Sequence, residues 1–175
     1  MKPLEKLISI YEKSVGGNAT MLLNIPPASD GLLHANDVRR LKELGEYIRQ
    51  SYGSNLLDES ASISASGGSG AENLRTQEET YYLADGPEAE IVIRWPEEQT
   101  IRRAVLQEPL QLSQRAERWA VDILRENEWT EEARGTVIGH KRIAVFPQEI
   151  RTRAIRIRIE DARVAAALQF IGIYG

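Results

Sequence analysis

A chain of 175 residues with 22 Lys and Arg against 26 Asp and Glu is the size of one domain or two small ones, and its net charge of −4 is mild. That balance excludes a protein built to hold nucleic acid by neutralising phosphates, which takes a basic surface. The absence of cysteine excludes disulfides, thiolate metal sites and cysteine nucleophiles.

No apolar run approaches the length of a membrane-spanning helix, so no membrane partner is expected. The opening string MKPLEKLISIYEK carries charges within its apolar stretch and does not read as a signal peptide. If the mature protein is secreted, its signal lies outside this chain.

Residues 3–14 predict a helix. Leu4, Leu7, Ile8 and Tyr11 fall on one face, Pro3 suits the first turn, and Gly16 and Gly17 offer left-handed positions to end it. Residues 21–25 then run Met-Leu-Leu-Asn-Ile without alternation, the pattern of a strand buried on both faces in a parallel sheet. Pro26 and Pro27 end it, and Asp30-Gly31 marks a turn. A second helix is expected over residues 37–50, with Asn36 as its N-cap and Val38, Leu41, Leu44 and Ile48 as its apolar stripe. The first piece, residues 1–57, therefore reads helix, buried strand, helix. A parallel strand needs neighbours, and this piece supplies none.

Residues 58–72, rich in Ser, Gly and Ala, read either as a flexible linker or as a short edge strand at residues 61–64 followed by a loop. Beyond them the period changes to two. Ile91, Ile93 and Trp95 share one face, as do Trp119, Val121 and Ile123, and then Ile155, Ile157 and Ile159. Residues 101–106, 143–146 and 168–174 also read as strands, and Asn127 falls in a hairpin turn between Leu124 and Trp129. Short strands between turn signals predict an antiparallel β-sandwich over residues 58–175, so the fold class is α+β.

The string SVGGNATMLLNIPPASDGLLHANDVRRLKELGEYI resembles the last strand and last helix of the catalytic (β/α) barrel of the α-L-fucosidases of glycoside hydrolase family 29. In the family that helix ends in Leu-Gly-Glu-Trp; here the aromatic is Tyr47. The strings VLQEPLQLSQRAERWAVDIL, TVIGHKRIAVFP and AIRIRIEDARVAAALQFIGIYG resemble the discoidin-like β-sandwich that follows the barrel in bacterial members. The resemblance implies the C-terminal part of such a glycoside hydrolase, closing the barrel and carrying an accessory sandwich. It implies a periplasmic or secreted setting if the chain behaves like those members. In a closed barrel, a strand at residues 21–25 would find its neighbours.

Retaining glycosidases of this kind use two carboxyl groups about 5 Å apart. The family supplies both from earlier barrel strands, so no catalytic residue is assigned here. The Asp and Glu residues present read as solvated faces of helices and strands.

Four residues stand out for substrate binding: Asn24, Trp129, Lys141 and Arg142. Asn24 ends the buried strand on the side where barrel active sites lie. It either supports the sugar site or satisfies backbone groups at the Pro-Pro turn. Trp129 follows a turn among acidic residues and, with Lys141 and Arg142, is the best candidate for a sugar-binding or interface patch; packing over the sandwich edge is the alternative. Trp95 and Trp119 read as core. His34 reads as a loop or capping residue, and His34 and His140 lack metal-ligand spacing. Asp85-Gly86 is the only hint of the calcium loop that discoidin-like domains carry, so neither a metal nor another cofactor is expected.

The partners expected are a fucosylated glycan or the rest of the barrel. The other readings are a stand-alone carbohydrate-binding module, an interaction domain that forms a homo-oligomer through the incomplete barrel segment, and one chain of a split fucosidase.

Overall fold

Helix α1 (Leu4–Ser14) and helix α2 (Ala35–Tyr52) open the chain; the structure, a computed structural model, describes residues 2–175. Pro3 occupies the α1 N-cap, Glu5 lies at the positive end of the helix and Lys13 at the negative end, and Leu7 is fully buried. The left-handed residue after α1 is Asn18, with φ of 68°, and neither Gly16 nor Gly17 takes that conformation. Gly16 serves close approach instead. A Cβ there would sit 2.5 Å from the Cβ of Ile143.

Helix α2 begins earlier than its apolar stripe predicts. Its N-cap is His34, whose Nδ1 accepts from the Asn36 amide at 3.1 Å. Asn36 is therefore inside the helix, and the capping role expected for it falls to the histidine.

The strand expected at residues 21–25 does not form. Residues 20–28 carry no strand assignment, and Leu22 is 93% exposed. The reason is topological: a two-faced strand needs a ladder on each side, and this chain offers neither.

Eight strands follow: β1 (Ser62–Ala65), β2 (Tyr82–Leu83), β3 (Ala89–Gln107), β4 (Ala116–Arg125), β5 (Glu128–Gly135), β6 (Arg142–Ala162), β7 (Ala167–Leu168) and β8 (Phe170–Tyr174). The Ser-rich stretch thus contains the edge strand. The pairs expected at 90–95 with 101–106, and at 143–146 with 155–160, merge into the long strands β3 and β6. All pairings are antiparallel, in the order β1-β3-β6-β4-β5, with β8 also on β3 and with β2 and β7 forming a separate pair. The β3–β6 ladder breaks between Arg94 and Gln99, a span containing Pro96, which has no N–H to give.

That break lets one network of strands form two layers. The first half of β3 pairs with β1 and with the end of β6, whereas its second half pairs with β8 and with the start of β6. Ile91, Ile93, Val121, Ile123, Ile155 and Ile157 line the inner face of the first layer; Ala104, Leu106, Ile171 and Ile173 meet them from the second. Trp95 and Trp119 are buried in the same core, as their strand positions predict. Glu126 and Asn127, both at positive φ, make the tight β4–β5 turn whose twist matches the flanking strands. The helices cover the outside of the second layer, where Tyr11 and Tyr52 pack on Val105, Ile143, Phe170 and Tyr174.

Candidate functional site

The most exposed apolar feature is the segment between the helices. Leu22, Leu32 and Leu33 are 93%, 68% and 45% exposed. Among the described residues, no backbone hydrogen bond involves residues 20–27. Beyond Pro27 a tight turn closes on itself: the Ala28 amide donates to the Leu32 carbonyl at 2.7 Å, and Asp30 Oδ1 accepts from the Leu32 amide. Met21, Leu23 and Ile25 are half-buried, and large apolar side chains left in water are candidates for a surface that another element covers.

Both ends of the segment are held. At its start the Asn18 amide donates to the Lys141 carbonyl, and Asn18 Oδ1 accepts from the His140 amide at 2.7 Å. At its end the chain enters α2 through the His34 cap. Asn24 is exposed within the segment.

The other residues singled out lie on two separate parts of the sheet layers. Trp129 sits at the start of β5, opposite Leu124, with the guanidinium of Arg156 at 4.8 Å and that of Arg94 at 5.8 Å from its ring centroid. Arg142 starts β6 and donates from Nε to the Val137 carbonyl; burial pulls its guanidinium pKa down. Arg142 shares a small surface depression with Gly135, six residues along β5 from Trp129, a separation of about 20 Å along a strand. Lys141 stays beside Arg142. The three therefore do not form one patch, and the cations near Trp129 are Arg94 and Arg156.

Sequence reasoning missed three carboxylates because it read them as solvated. Glu108 and Asp122 are each 2% exposed. Glu108 accepts from the amides of Arg115, Ala116 and Gly139 at 2.6–2.8 Å, closing the β3–β4 connection and tying it to the β5–β6 loop. Asp122 Oδ2 accepts from Arg156 Nε and Arg158 Nε, each at 2.7 Å. The signal was present: a lone Asp in an apolar strand, and arginines at alternate positions on its neighbour. The third is Glu12 of α1, half-buried between the helices and the sheet; its Oε1 accepts from the hydroxyls of Tyr47 and Tyr52, each at 3.1 Å, and stands 3.4 Å from Arg103 Nε. Burial pushes the Tyr52 hydroxyl pKa well up, and the Glu12 carboxylate beside it adds to the rise. Each carboxylate is thus committed to holding structure. Among the described residues, no group of three or more His, Asp or Glu side chains could hold a metal ion, and no helix is long and apolar enough to cross a membrane.

A family model described as alpha-L-fucosidase matches residues 1–53, the stretch that contains both helices and the exposed segment. The chain is similar to part of the α-L-fucosidases of glycoside hydrolase family 29. Two curated plant relatives, from Oryza sativa subsp. japonica and Arabidopsis thaliana, carry the name α-L-fucosidase 1 and are 32% and 28% identical over 96% and 99% of this chain. The chain spans only about a third of their length, 34% and 36%. A Ruminococcus gnavus GH29 fucosidase solved in complex with fucose superposes with a TM-score of 0.90 and 29% identity, over 99% of this chain and 37% of that one. The fucosidase likeness therefore includes the sheet layers as well as the helices. A Clostridium perfringens module, CpGH89CBM32-6, shares the fold over 69% of this chain and 98% of its own, with a TM-score of 0.58 at 15% identity.

Proposed function

We propose that this chain is the C-terminal part of an α-L-fucosidase-like glycoside hydrolase. In this reading α1, the exposed segment and α2 close a (β/α) barrel, and the sheet layers are an accessory discoidin-like sandwich. The observation that carries it is the segment at residues 20–28. Its residues 21–25 are apolar except for Asn24, they pair with no strand, Leu22 stands in water, the segment lies between two helices, and it falls in the stretch matched by the family model. A strand of a closed parallel barrel has that composition because it is covered on both faces. The barrel that supplies its neighbours is the proposed partner, and a fucosylated glycan the proposed substrate.

In this reading none of the three carboxylates that the fold encloses serves as nucleophile or acid. Glu12, Glu108 and Asp122 are tied up in hydrogen bonds. Catalysis in the assembled enzyme then belongs to the rest of the barrel. The purified chain alone is expected to leave a chromogenic α-L-fucoside intact. Turnover that stays proportional to this chain through successive purification steps would overturn the reading.

The second reading, a carbohydrate-binding module, is favoured by the fold shared with CpGH89CBM32-6 and by half-buried Trp129. Its ring is approached by Arg94 and Arg156, which competes with sugar stacking on the same face. Titration with fucose separates the readings: saturable binding abolished by Trp129→Ala would support the module.

A further inference from the structure

The sheet layers do more than follow the helices in the chain. We propose that they form a frame latched to α1 and α2 through a buried polar contact centred on Arg103, and that this latch holds in place the two helices that flank the exposed segment. The latch lies where β3, β8 and the helices meet. Arg103 is 8% exposed and uses its whole guanidinium. Nε faces Glu12 of α1, Nη2 donates to the Tyr47 hydroxyl of α2 at 2.6 Å, and Nη1 donates to the Gly175 carbonyl at 3.2 Å. The rings of Tyr47 and Tyr52 lie 5.6 and 5.4 Å from its centre. One side chain of the sheet thus contacts both helices and the chain end, and a planar, always-charged fork suits that task.

Two further joins flank it. After α2, Asn55 acts as a piece of strand against the free edge of β8. Its Oδ1 accepts from the Ile173 amide, its Nδ2 donates to the Ile171 carbonyl, and the Leu56 amide donates to the Ile173 carbonyl. Trp95 Nε1 donates to the Leu56 carbonyl at 2.6 Å, and Leu57 enters the main core. After α1, the Ile143 amide donates to the Gly16 carbonyl, and Asn18 binds residues 140 and 141. The joins stand just before the exposed segment, beneath the helices and just after α2. A strand presented this way reaches its neighbours already oriented, so less order is lost when they pair.

The use of the latch in barrel closure rests on the proposed function, but the latch itself is tested without any glycoside. A protease site is inserted after Glu59, in the exposed turn before β1, and the cut chain is passed over a size-exclusion column without denaturant. The two pieces are expected to elute together at the position of the uncut chain. Arg103→Met is expected to weaken their association at least tenfold. Tyr47→Phe, which removes only the hydroxyl, is expected to weaken it less, and Arg39→Met, on the exposed side of α2, to leave it unchanged. Separation of the wild-type pieces on cutting would overturn the latch. Equal association of the wild-type and Tyr47→Phe pieces would overturn the place of Arg103 at its centre, even if Arg103→Met fails to fold.

Discussion

Arg103 shows how a single residue gains importance from its surroundings. In sequence it is one of several arginines in a strand of mixed character. In the structure it is the cation under two helices, with Glu12 as its counter-ion. Replacing one member of such a buried pair leaves the other uncompensated, a loss of about 3–5 kcal/mol. The phenols around it give the same cluster a pH dependence. Tyr11, Tyr52 and Tyr174 all have pKa values raised above the ordinary 10.0, chiefly by burial. A group with a raised folded pKa keeps its proton where the unfolded chain releases it. Its contribution is therefore complete below about pH 10 and is lost as pH climbs through the folded value. We expect the thermal midpoint to hold up to about pH 9.5 and to fall steeply above pH 10. Tyr52→Phe should flatten that fall, as followed by circular dichroism melts across the alkaline range. An equally steep fall in the variant would show that Tyr52 is not the source.

At the scale of elements, alternation was the legible signal. Ile91 with Ile157, Ile93 with Ile155 and Val121 with Ile157 stand opposite each other because each strand places every second residue inward. The merging of 90–95 with 101–106 was less legible, because Pro96 reads as a stop although here it marks a bend within one strand. β5 was not legible beyond the turn that starts it: Glu128, Thr130 and Glu131 lie exposed along an edge strand, and Glu132 pairs with Arg125. Its far end is fixed by a close contact that only the structure reveals. A Cβ at Gly135 would lie 2.5 Å from the Trp119 ring. Gly135→Ala is expected to destabilise the chain by about 1–3 kcal/mol through overpacking. Chemical denaturation should show a lower midpoint with an unchanged slope, and an unchanged midpoint would mean that the ring moves aside freely.

At the scale of the whole molecule, the sequence divides near residue 57, but the structure joins what it divides. Asn55, Leu56 and Leu57, just past α2, are bonded to and packed against the sheet. The joins were hidden because they depend on side chains far apart in sequence, such as Glu12 with Arg103 and Asn18 with His140. The candidate site was legible in a different way. Its composition is that of a buried strand, yet among the described residues no strand pairs with it and Leu22 stands in water. Hydrogen exchange on the isolated chain tests that claim most directly. Amides at residues 21–25 should exchange at rates close to those of an unfolded peptide, while those of α2, β3 and β6 stay protected. Strong protection at residues 21–25 would mean that the segment already has a partner, in this chain or in a second copy, and would contradict the account of it as a barrel strand awaiting its neighbours.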